Sequence, residues 1–169
     1  MQIKLNINVP PFSINKAFLR NRRYSKPARL YRFNVLEALQ EPLNKSAMAY
    51  IASHFDKLHH TFSVTYITYY PIKTFLTKAG YLSHRTMDLT NTEKMLQDLV
   101  FDIKYNNGKF LSSRTGFEVP LYASLKSISN VGIDDTFISD LRSLKRPTSL
   151  KKAYQEILIS IVPLKSILL

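Results

Sequence analysis

Residues 62–70 constrain the fold more than any other part of the sequence. The run is rich in β-branched and aromatic residues, and Phe62, Val64, Tyr66, Thr68 and Tyr70 share one face at a period of two residues. This composition is typical of a central strand, and the proline that follows it ends the strand. Three further segments, residues 3–9, 137–144 and 156–162, also have strand patterns, so we expect a small mixed sheet.

The segments between these strands predict three helices, at residues 27–42, 45–58 and 88–103. In the third, the apolar residues fall on one side of the helix and Asn91, Lys94 and Asp98 fall on the other. Residues 73–85 predict a loop or hairpin tip. Residues 104–130, which contain an Asn-Asn-Gly turn, predict an excursion outside the core. We therefore expect one α+β domain over residues 1–169, a small mixed β-sheet packed by helices.

The charge of the chain indicates its class of partner. There are 24 Lys and Arg residues against 12 Asp and Glu, a net charge of +12. Seven basic residues and no acidic one fall in residues 16–32, here called the basic tract: Lys16, Arg20, Arg22, Arg23, Lys26, Arg29 and Arg32. Such an excess predicts a polyanionic partner, with nucleic acid as the first interpretation and an anionic membrane surface as the second.

Several classes of site are excluded by the sequence. The chain has no cysteine, which excludes disulfides, thiolate metal sites and cysteine nucleophiles and suits a reducing cytosol. A phosphate-binding Walker loop, a dinucleotide-binding glycine motif and a serine hydrolase motif are also missing. The start of the chain does not resemble a signal peptide, and the apolar segment at residues 157–169 is interrupted by Pro163 and Lys165. We expect a soluble, cytoplasmic protein associated with DNA and not with a membrane.

Carboxylates remain as the residues that carry chemistry. Glu37, Glu41 and Asp56 lie in predicted helical stretches and are best explained as solvated charges. His54, His59 and His60 lack the spacing of a zinc protease, so a solvated or DNA-facing role is preferred to metal binding; the fourth histidine is His84.

Asp88, by contrast, stands where a strand-to-helix junction is predicted, and Asp134 and Asp135 directly precede another strand. If the two junctions meet at one edge of the sheet, their oxygens can bind a Mg²⁺ ion that also contacts a phosphate. The alternative is a helix cap for Asp88 and a turn for the aspartate pair.

Three sequence motifs, in the same order as in the family, resemble those of the RusA-type Holliday junction resolvases. These are small metal-dependent endonucleases that cut four-way DNA junctions in recombination and repair. The first is Val-Pro-Pro-Phe-Ser-Ile-Asn-Lys at residues 9–16, followed by the Tyr-Arg pair at residues 31–32. The second and most specific is Arg-Thr-Met-Asp-Leu-Thr-Asn-Thr-Glu-Lys at residues 85–94, continuing to Asp98. The third is Gly-Ile-Asp-Asp-Thr-Phe-Ile at residues 132–138, with Lys-Arg-Pro at residues 145–147.

The chain departs from the family pattern at two places. Thr90 stands where the family usually has the second aspartate of its Asp-x-Asp-Asn motif, and a hydroxyl is a weaker ligand than a carboxylate for a hard cation. The stretch between Asp98 and Asp134 is also longer than in the family's compact form. The first departure bears on catalytic competence, and the second on how the protein holds a junction.

The resemblance implies roles for individual residues. Asp88 and Asp135 would be the principal ligands of Mg²⁺ or Mn²⁺, with Asp134 nearby, and Lys94 would lie beside the scissile phosphate. Behind these, Asn91 would orient a ligand or water, and Thr90 would hold a metal-bound water while Asp134 or Asp98 contributes charge. A salt bridge between Lys94 and Asp98 is an alternative that is compatible with catalysis.

The resemblance also implies a homodimer, since paired cuts in a symmetric junction require two sites related by a two-fold axis. The residues expected to hold the DNA backbone are Asn15, Lys16, Arg20, Arg22, Arg23, Lys26, Arg29, Lys73, Lys78 and Arg85, with His84 beside them. Phe18 and Tyr31 suit base stacking or the core, and the core is preferred. Two other functions stay open: a branched-DNA-binding protein of the same fold with weakened catalysis, and a basic structural protein that binds RNA.

Overall fold

The computed structural model describes residues 1–19, 24–84, 86, 89–101 and 135–167, and leaves the side chains of residues 89–91 undescribed. These ranges form a single small α+β domain, as the sequence predicts. Its elements are β1 (Gln2–Ile7), α1 (Lys26–Leu39), α2 (Pro42–His54), β2 (His60–Pro71), α3 (Ile72–Phe75), α4 (Leu89–Val100), β3 (Ile138–Thr148) and β4 (Tyr154–Pro163). Short 3₁₀ turns occupy Ile14–Lys16, Asp135–Phe137 and Leu164–Ser166.

The four strands form one mixed sheet in the order β1-β4-β2-β3. The β1–β4 and β4–β2 pairs are antiparallel, and the β2–β3 pair is parallel. A parallel pair needs a crossover connection, and α4 lies in the chain between these two strands. The central position predicted for residues 62–70 is therefore confirmed.

The strand register arranges side chains in rows across the sheet. Leu5 pairs with Ile157, Ile157 with Tyr66, and Tyr66 with Ser143, so one row runs from β1 to β3. The first three of these residues are buried, and Ser143 is half-buried. Because side chains alternate between the two faces of a strand, this row belongs to the face that the helices cover.

The helices pack on that face through apolar residues at helical spacing. In α1 the buried positions include Tyr31, Val35 and Leu39, and in α4 they include Leu96 and Leu99. The Ser25 side chain accepts a hydrogen bond from the backbone N–H of Ala28 and so caps α1. Helices α1 and α2 contact β1, whereas α4 contacts α1 and β3. The polar face of α4 thus lies at the β3 edge of the sheet.

Some predicted boundaries are wrong by a few residues. The second helix begins at Pro42, not at residue 45, and ends at His54. A proline in the first helical turn has no need of the N–H it lacks, so it can begin the helix. Strand β3 begins at Ile138 and continues to Thr148, four residues further than predicted. The excursion predicted for residues 104–130 lies outside the described residues.

The segment after β2 contains a four-residue helix, α3, which the sequence prediction missed. A hairpin follows, with Leu76 bridged to Leu82 and the Thr77 N–H donating to the carbonyl of Tyr81. Gly80 has φ of +82°, a conformation that glycine adopts without a side-chain penalty. The predicted hairpin tip is therefore present. Within the described ranges, no helix combines the length and hydropathy needed to cross a bilayer.

Candidate active site

Lys94 lies between the carboxylates of Asp98 and Asp135, which are far from each other in the sequence. Its Nζ is 2.8 Å from Oδ1 of Asp98, one turn later in α4, and 3.5 Å from Oδ2 of Asp135, which begins the 3₁₀ turn before β3. Gln97 donates from Nε2 to the same Oδ2 of Asp135 at 2.9 Å. The polar face of α4 is thus joined to the start of β3, and this group of four residues is here called the α4–β3 cluster.

The helical period explains this convergence. Positions 94, 97 and 98 are three and four residues apart, so they share one face of α4. The opposite face of the helix is buried in the core through Leu96, Leu99 and Val100, which fixes the direction in which the polar side chains point.

The two carboxylates determine the charge state of Lys94. Asp98, followed by Asp135, raises the pKa of Lys94 above its ordinary value, although partial burial acts in the opposite direction. Lys94 is therefore a cation at neutral pH. A protonated lysine can stabilise negative charge on a bound phosphate, but it cannot accept a proton as a general base.

A buried arginine lies next to this cluster. Arg32 of α1 is only 8% exposed, and its Nη1 donates to the Tyr24 hydroxyl at 2.8 Å. Burial lowers the pKa of Arg32, while the charges of Tyr24 and Asp98 oppose that effect. Asp98 therefore interacts with two cations, Lys94 by direct contact and Arg32 through its field. Since Tyr24 and Arg32 belong to the basic tract, this part of the tract is connected to α4.

Two polar groups beside the cluster have no hydrogen-bond partner among the described residues. They are the Tyr66 hydroxyl, on a residue only 2% exposed in β2, and Oε2 of Glu93 in α4. Burial, and after it the negative charges of Glu93, Asp135 and Asp98, raises the pKa of Tyr66 well above its ordinary value. Burial also raises the pKa of Glu93. A buried polar atom without a partner is costly, and it is a frequent sign of a water, ion or ligand.

A groove lies on the hairpin side of the site. It has a volume of about 770 Å³ and is lined by α3 and the hairpin, including Lys73, Lys78 and Ser83. The carbonyl of Ser83 accepts hydrogen bonds from the backbone and the hydroxyl of Thr86. The Thr86 hydroxyl in turn accepts from Nζ of Lys145 in β3 at 3.3 Å. The groove is thus connected to the β3 edge by a chain of contacts.

The structure describes some of the predicted site residues and not others. Lys94, Asp98 and Asp135 are brought together. Asp88, Asp134, Arg20, Arg22, Arg23 and Arg85 lie outside the described residues, as do the side chains of Thr90 and Asn91. The other predicted DNA-contacting residues are exposed or half-exposed: Asn15, Lys16, Lys26, Arg29, Lys73 and Lys78. The turn that carries Asn15 and Lys16 contacts α4.

The described residues alone do not form a complete metal cage. Among them, no three acidic or histidine side chains converge in a way that could hold a metal ion. His59 instead pairs with Asp56, with 2.6 Å between Nδ1 and Oδ2. Mg²⁺ is commonly held by one or two carboxylates together with substrate phosphates, so a complete protein cage is not required. Asp135 and the unpartnered oxygen of Glu93 have the donor chemistry that such an ion takes.

Phe18 and Tyr31, which suit either base stacking or the core by sequence, have different environments in the structure. Tyr31 is buried, and its hydroxyl donates to Oε1 of Gln155 at 2.8 Å, so the preference for the core is confirmed. Phe18 is 50% exposed and stacks on Tyr24, with ring centroids 4.9 Å apart, so the same preference is wrong for Phe18. Glu37, Glu41 and Asp56 are exposed, as expected for solvated charges.

Sequence reasoning assigned no role at the site to Gln97, Glu93, Tyr66 or Arg32. Gln97 could have been found, because it lies three residues after Lys94 on the polar face of α4. Tyr66 could not, since in the sequence it is one of several aromatic residues on the buried face of a central strand. Only the fold brings it close to α4.

The chain matches no protein-family model, and a comparison with curated proteins finds no significant match. The sequence motifs and the geometry of the α4–β3 cluster are therefore the features that indicate its function.

Proposed function

We propose that this protein is a metal-dependent endonuclease that resolves four-way and other branched DNA junctions by paired phosphodiester hydrolysis. The observation that carries the proposal is the position of Lys94, a cation held between Asp98 and Asp135 although 41 residues separate it from the second. Among the residues to which the resemblance gives a role at the metal site, these three are the ones whose side chains the structure describes. An ammonium group beside carboxylates at a sheet edge is suited to phosphoryl chemistry.

Mg²⁺ or Mn²⁺ is the proposed cofactor. The donors available to it are Asp135 and the unpartnered oxygen of Glu93, and the resemblance adds Asp88 and Asp134. When bound, such an ion lowers the pKa of an attacking water and neutralises charge on the phosphate.

The protein's own residues have distinct roles in this proposal. Lys94 stabilises the charge that grows on the phosphate oxygens as the P–O bond breaks. Gln97 donates to Asp135 and so fixes the orientation of that carboxylate. Asp98 keeps Lys94 protonated and directed along the polar face of α4.

The distribution of positive charge supports DNA as the substrate. The residues of the basic tract other than the buried Arg32, the exposed lysines of the groove and Lys145 would contact phosphates, giving affinity that falls with salt and depends mainly on the shape of the DNA. A two-fold homodimer would present two such sites to the matched strands of a junction.

A labelled synthetic four-way junction tests this function. With Mg²⁺ or Mn²⁺ we expect paired, symmetric cuts near the crossover, no cuts with EDTA, and little cutting of a linear duplex of the same sequence. Binding without cleavage in either metal would favour the second candidate, a branched-DNA-binding protein with weakened catalysis. That candidate is favoured by Thr90, which stands where the family pattern has an aspartate that could bind the metal. Absence of both binding and cleavage would contradict the proposal.

A further inference from the structure

The polar face of α4 continues beyond the α4–β3 cluster towards the start of the helix. Glu93 precedes Gln97 by four residues, so the two positions are neighbours on one face of α4. Gln97 contacts Asp135. Side chains in a helix lean towards its N-terminus, which directs Glu93 to the part of the site that lies before Gln97. Glu93 therefore lies on the face of α4 that carries Gln97, the residue that contacts Asp135, and outside the ion pair that Lys94 makes with Asp135.

Unlike the other acidic residues of the site, Glu93 has a buried carboxylate oxygen without a hydrogen-bond donor among the described residues. Asp98 and Asp135 both accept hydrogen bonds from described side chains. Oε2 of Glu93 is removed from solvent and accepts none from the described residues. A carboxylate oxygen that is desolvated and unpaired is unfavourable in the folded protein unless a cation or a donor arrives to bind it.

Tyr66 is a second and independent sign of an absent partner. It comes from the centre of the sheet, it is 2% exposed, and its hydroxyl has no partner among the described residues. Of the charged groups that act on this hydroxyl, Glu93 has the largest effect and Asp135 the next. A buried hydroxyl and a buried carboxylate oxygen, both unpaired, thus lie within electrostatic reach of each other, and the hydroxyl also lies within reach of Asp135. A hydrated cation fits this arrangement, since it binds carboxylates directly and its water molecules hydrogen-bond to neighbouring hydroxyls.

We propose that Glu93 is a carboxylate ligand of the divalent cation alongside Asp135, and that Tyr66 is a positioning residue that hydrogen-bonds to the hydrated ion. This inference rests on the proposed function, because it concerns the cation that the nuclease would use. The family pattern has an aspartate at the position of Thr90, and this chain has no acid there. In our proposal Glu93, one helical turn later, supplies a carboxylate instead.

Direct metal binding to the full chain, without DNA, tests the inference. Free Mn²⁺ measured by electron paramagnetic resonance gives the affinity of wild type and of two matched variants, Glu93→Gln and Glu37→Gln. Glu37 is an exposed glutamate of α1 and provides the control. We expect Glu93→Gln to weaken Mn²⁺ binding at least about tenfold and Glu37→Gln to leave it unchanged.

Terbium luminescence tests the position of Tyr66. The chain has ten tyrosines and no tryptophan, so terbium emission excited in the near ultraviolet comes from ions bound close to a tyrosine. We expect Tyr66→Phe to remove most of this emission and Tyr81→Phe, at an exposed position, to retain it. Tyr66→Phe removes a buried unpaired hydroxyl, and Glu93→Gln replaces a partly buried charge with a neutral amide of the same size, so both variants should fold, which thermal melting checks.

The outcomes separate this inference from the proposed function. Equal Mn²⁺ affinity in Glu93→Gln and wild type, with weaker binding in Asp135→Asn, would overturn the role of Glu93 and leave the nuclease proposal standing. Unchanged emission in Tyr66→Phe would overturn the role of Tyr66. If wild type binds no Mn²⁺ either alone or with the four-way junction, or if Asp135→Asn binds it as well as wild type does, the metal-dependent function itself fails.

Discussion

At one edge of the sheet, β1 alternates exposed and buried residues, and Asn44 of α2 hydrogen-bonds both the N–H and the carbonyl of Asn6. At the other edge, β3 has no fully buried residue, and the turn before it carries Asp135. Thus a buried side chain bonds both backbone groups of one residue at the β1 edge, while the β3 edge presents charge. The comparison separates a part of the molecule built for stability from one with the features of a functional site.

Two of the three buried side-chain atoms that lack a hydrogen bond in the described part of the chain follow the same division. These two, in Tyr66 and Glu93, are on the β3 side of the sheet, and the third is Nε2 of Gln40 at the end of α1. Asn44, which is 1% exposed near the β1 edge, has its amide fully engaged with Asn6 and Ala38. Buried polar atoms without hydrogen bonds lower the stability of the fold at the place where a ligand is proposed to bind. Such a loss of stability is common at functional sites.

The largest expected effect is on cleavage. Replacing Lys94 with alanine removes the cation between Asp98 and Asp135, and we expect junction cleavage to fall about 100-fold, as when an electrostatic stabiliser of a transition state is lost. Junction binding, measured by gel shift, should be nearly retained. Lys45→Ala on α2, near the β1 edge, is the control and should cleave normally. An equal loss of binding and cleavage in Lys94→Ala would assign Lys94 to DNA binding instead.

The next effect is on the β1 edge. Asn44→Ala leaves the backbone N–H and carbonyl of Asn6 without the partner that Asn44 supplies, whereas the Ala38 carbonyl keeps the N–H of Glu41. We expect the variant to lower the free energy of unfolding by about 2–4 kcal/mol. Urea unfolding of the full chain measures this loss. Ser46→Ala, at an exposed position of the same helix, should have little effect. Equal free energies of unfolding for Asn44→Ala and wild type would show that this side chain does not stabilise the β1 edge.

A smaller effect of opposite sign is expected from Glu93. Because burial raises its pKa above the ordinary value of 4.5, the protonated form favours folding, and this contribution is lost as pH rises through the folded-state pKa. Without metal, Glu93→Gln should therefore melt above wild type at pH 7 by about 1–2 °C, and by less as pH falls to 4. Melting curves in EDTA at several pH values measure the difference. A variant that melts well below wild type at pH 7 would mean that Glu93 supports the fold.

The smallest effect is expected in the groove. A double variant, Lys73→Ala with Lys78→Ala, should weaken junction binding several-fold at low salt. It should also reduce the slope of log affinity against log salt concentration by about 1–2, as expected when up to two phosphate contacts are lost. The exposed lysines of a second double variant, Lys45→Ala with Lys57→Ala, control for net charge. Identical salt slopes in the two double variants would show that the groove does not contact DNA.

The sheet and the main helices could be predicted because their patterns are local. The alternation in β1, the β-branched run of β2 and the apolar stripe of α4 each fix an element without knowledge of its neighbours. Helix boundaries are not fixed by these patterns alone. At Pro42 the sequence predicts the end of the first helix, whereas the structure begins α2 there. The exposure of Phe18 was also missed, since a half-exposed aromatic stacked on Tyr24 has the same local pattern as a core residue.

The site could be predicted only in part, for a related reason. Lys94 and Asp98 share a helical face, so the 2.8 Å contact between them was foreseen as an alternative from spacing alone. That Asp135 joins them depends on the parallel pairing of β2 and β3, which spacing does not determine. The approach of Tyr66 to Glu93 depends on which face of the sheet α4 covers, a tertiary property that no local pattern encodes.

The most direct measurement compares cleavage and binding of a four-way junction by Asp135→Asn and by Asp140→Asn in Mg²⁺ and in Mn²⁺. Asp140 is a matched aspartate of β3 that bonds Ser63 and Arg142 and takes no part in the α4–β3 cluster. We predict that Asp135→Asn binds the junction as wild type does but does not cut it, and that Asp140→Asn does both. Normal cleavage by Asp135→Asn would contradict the assignment of an active site to the β3 edge.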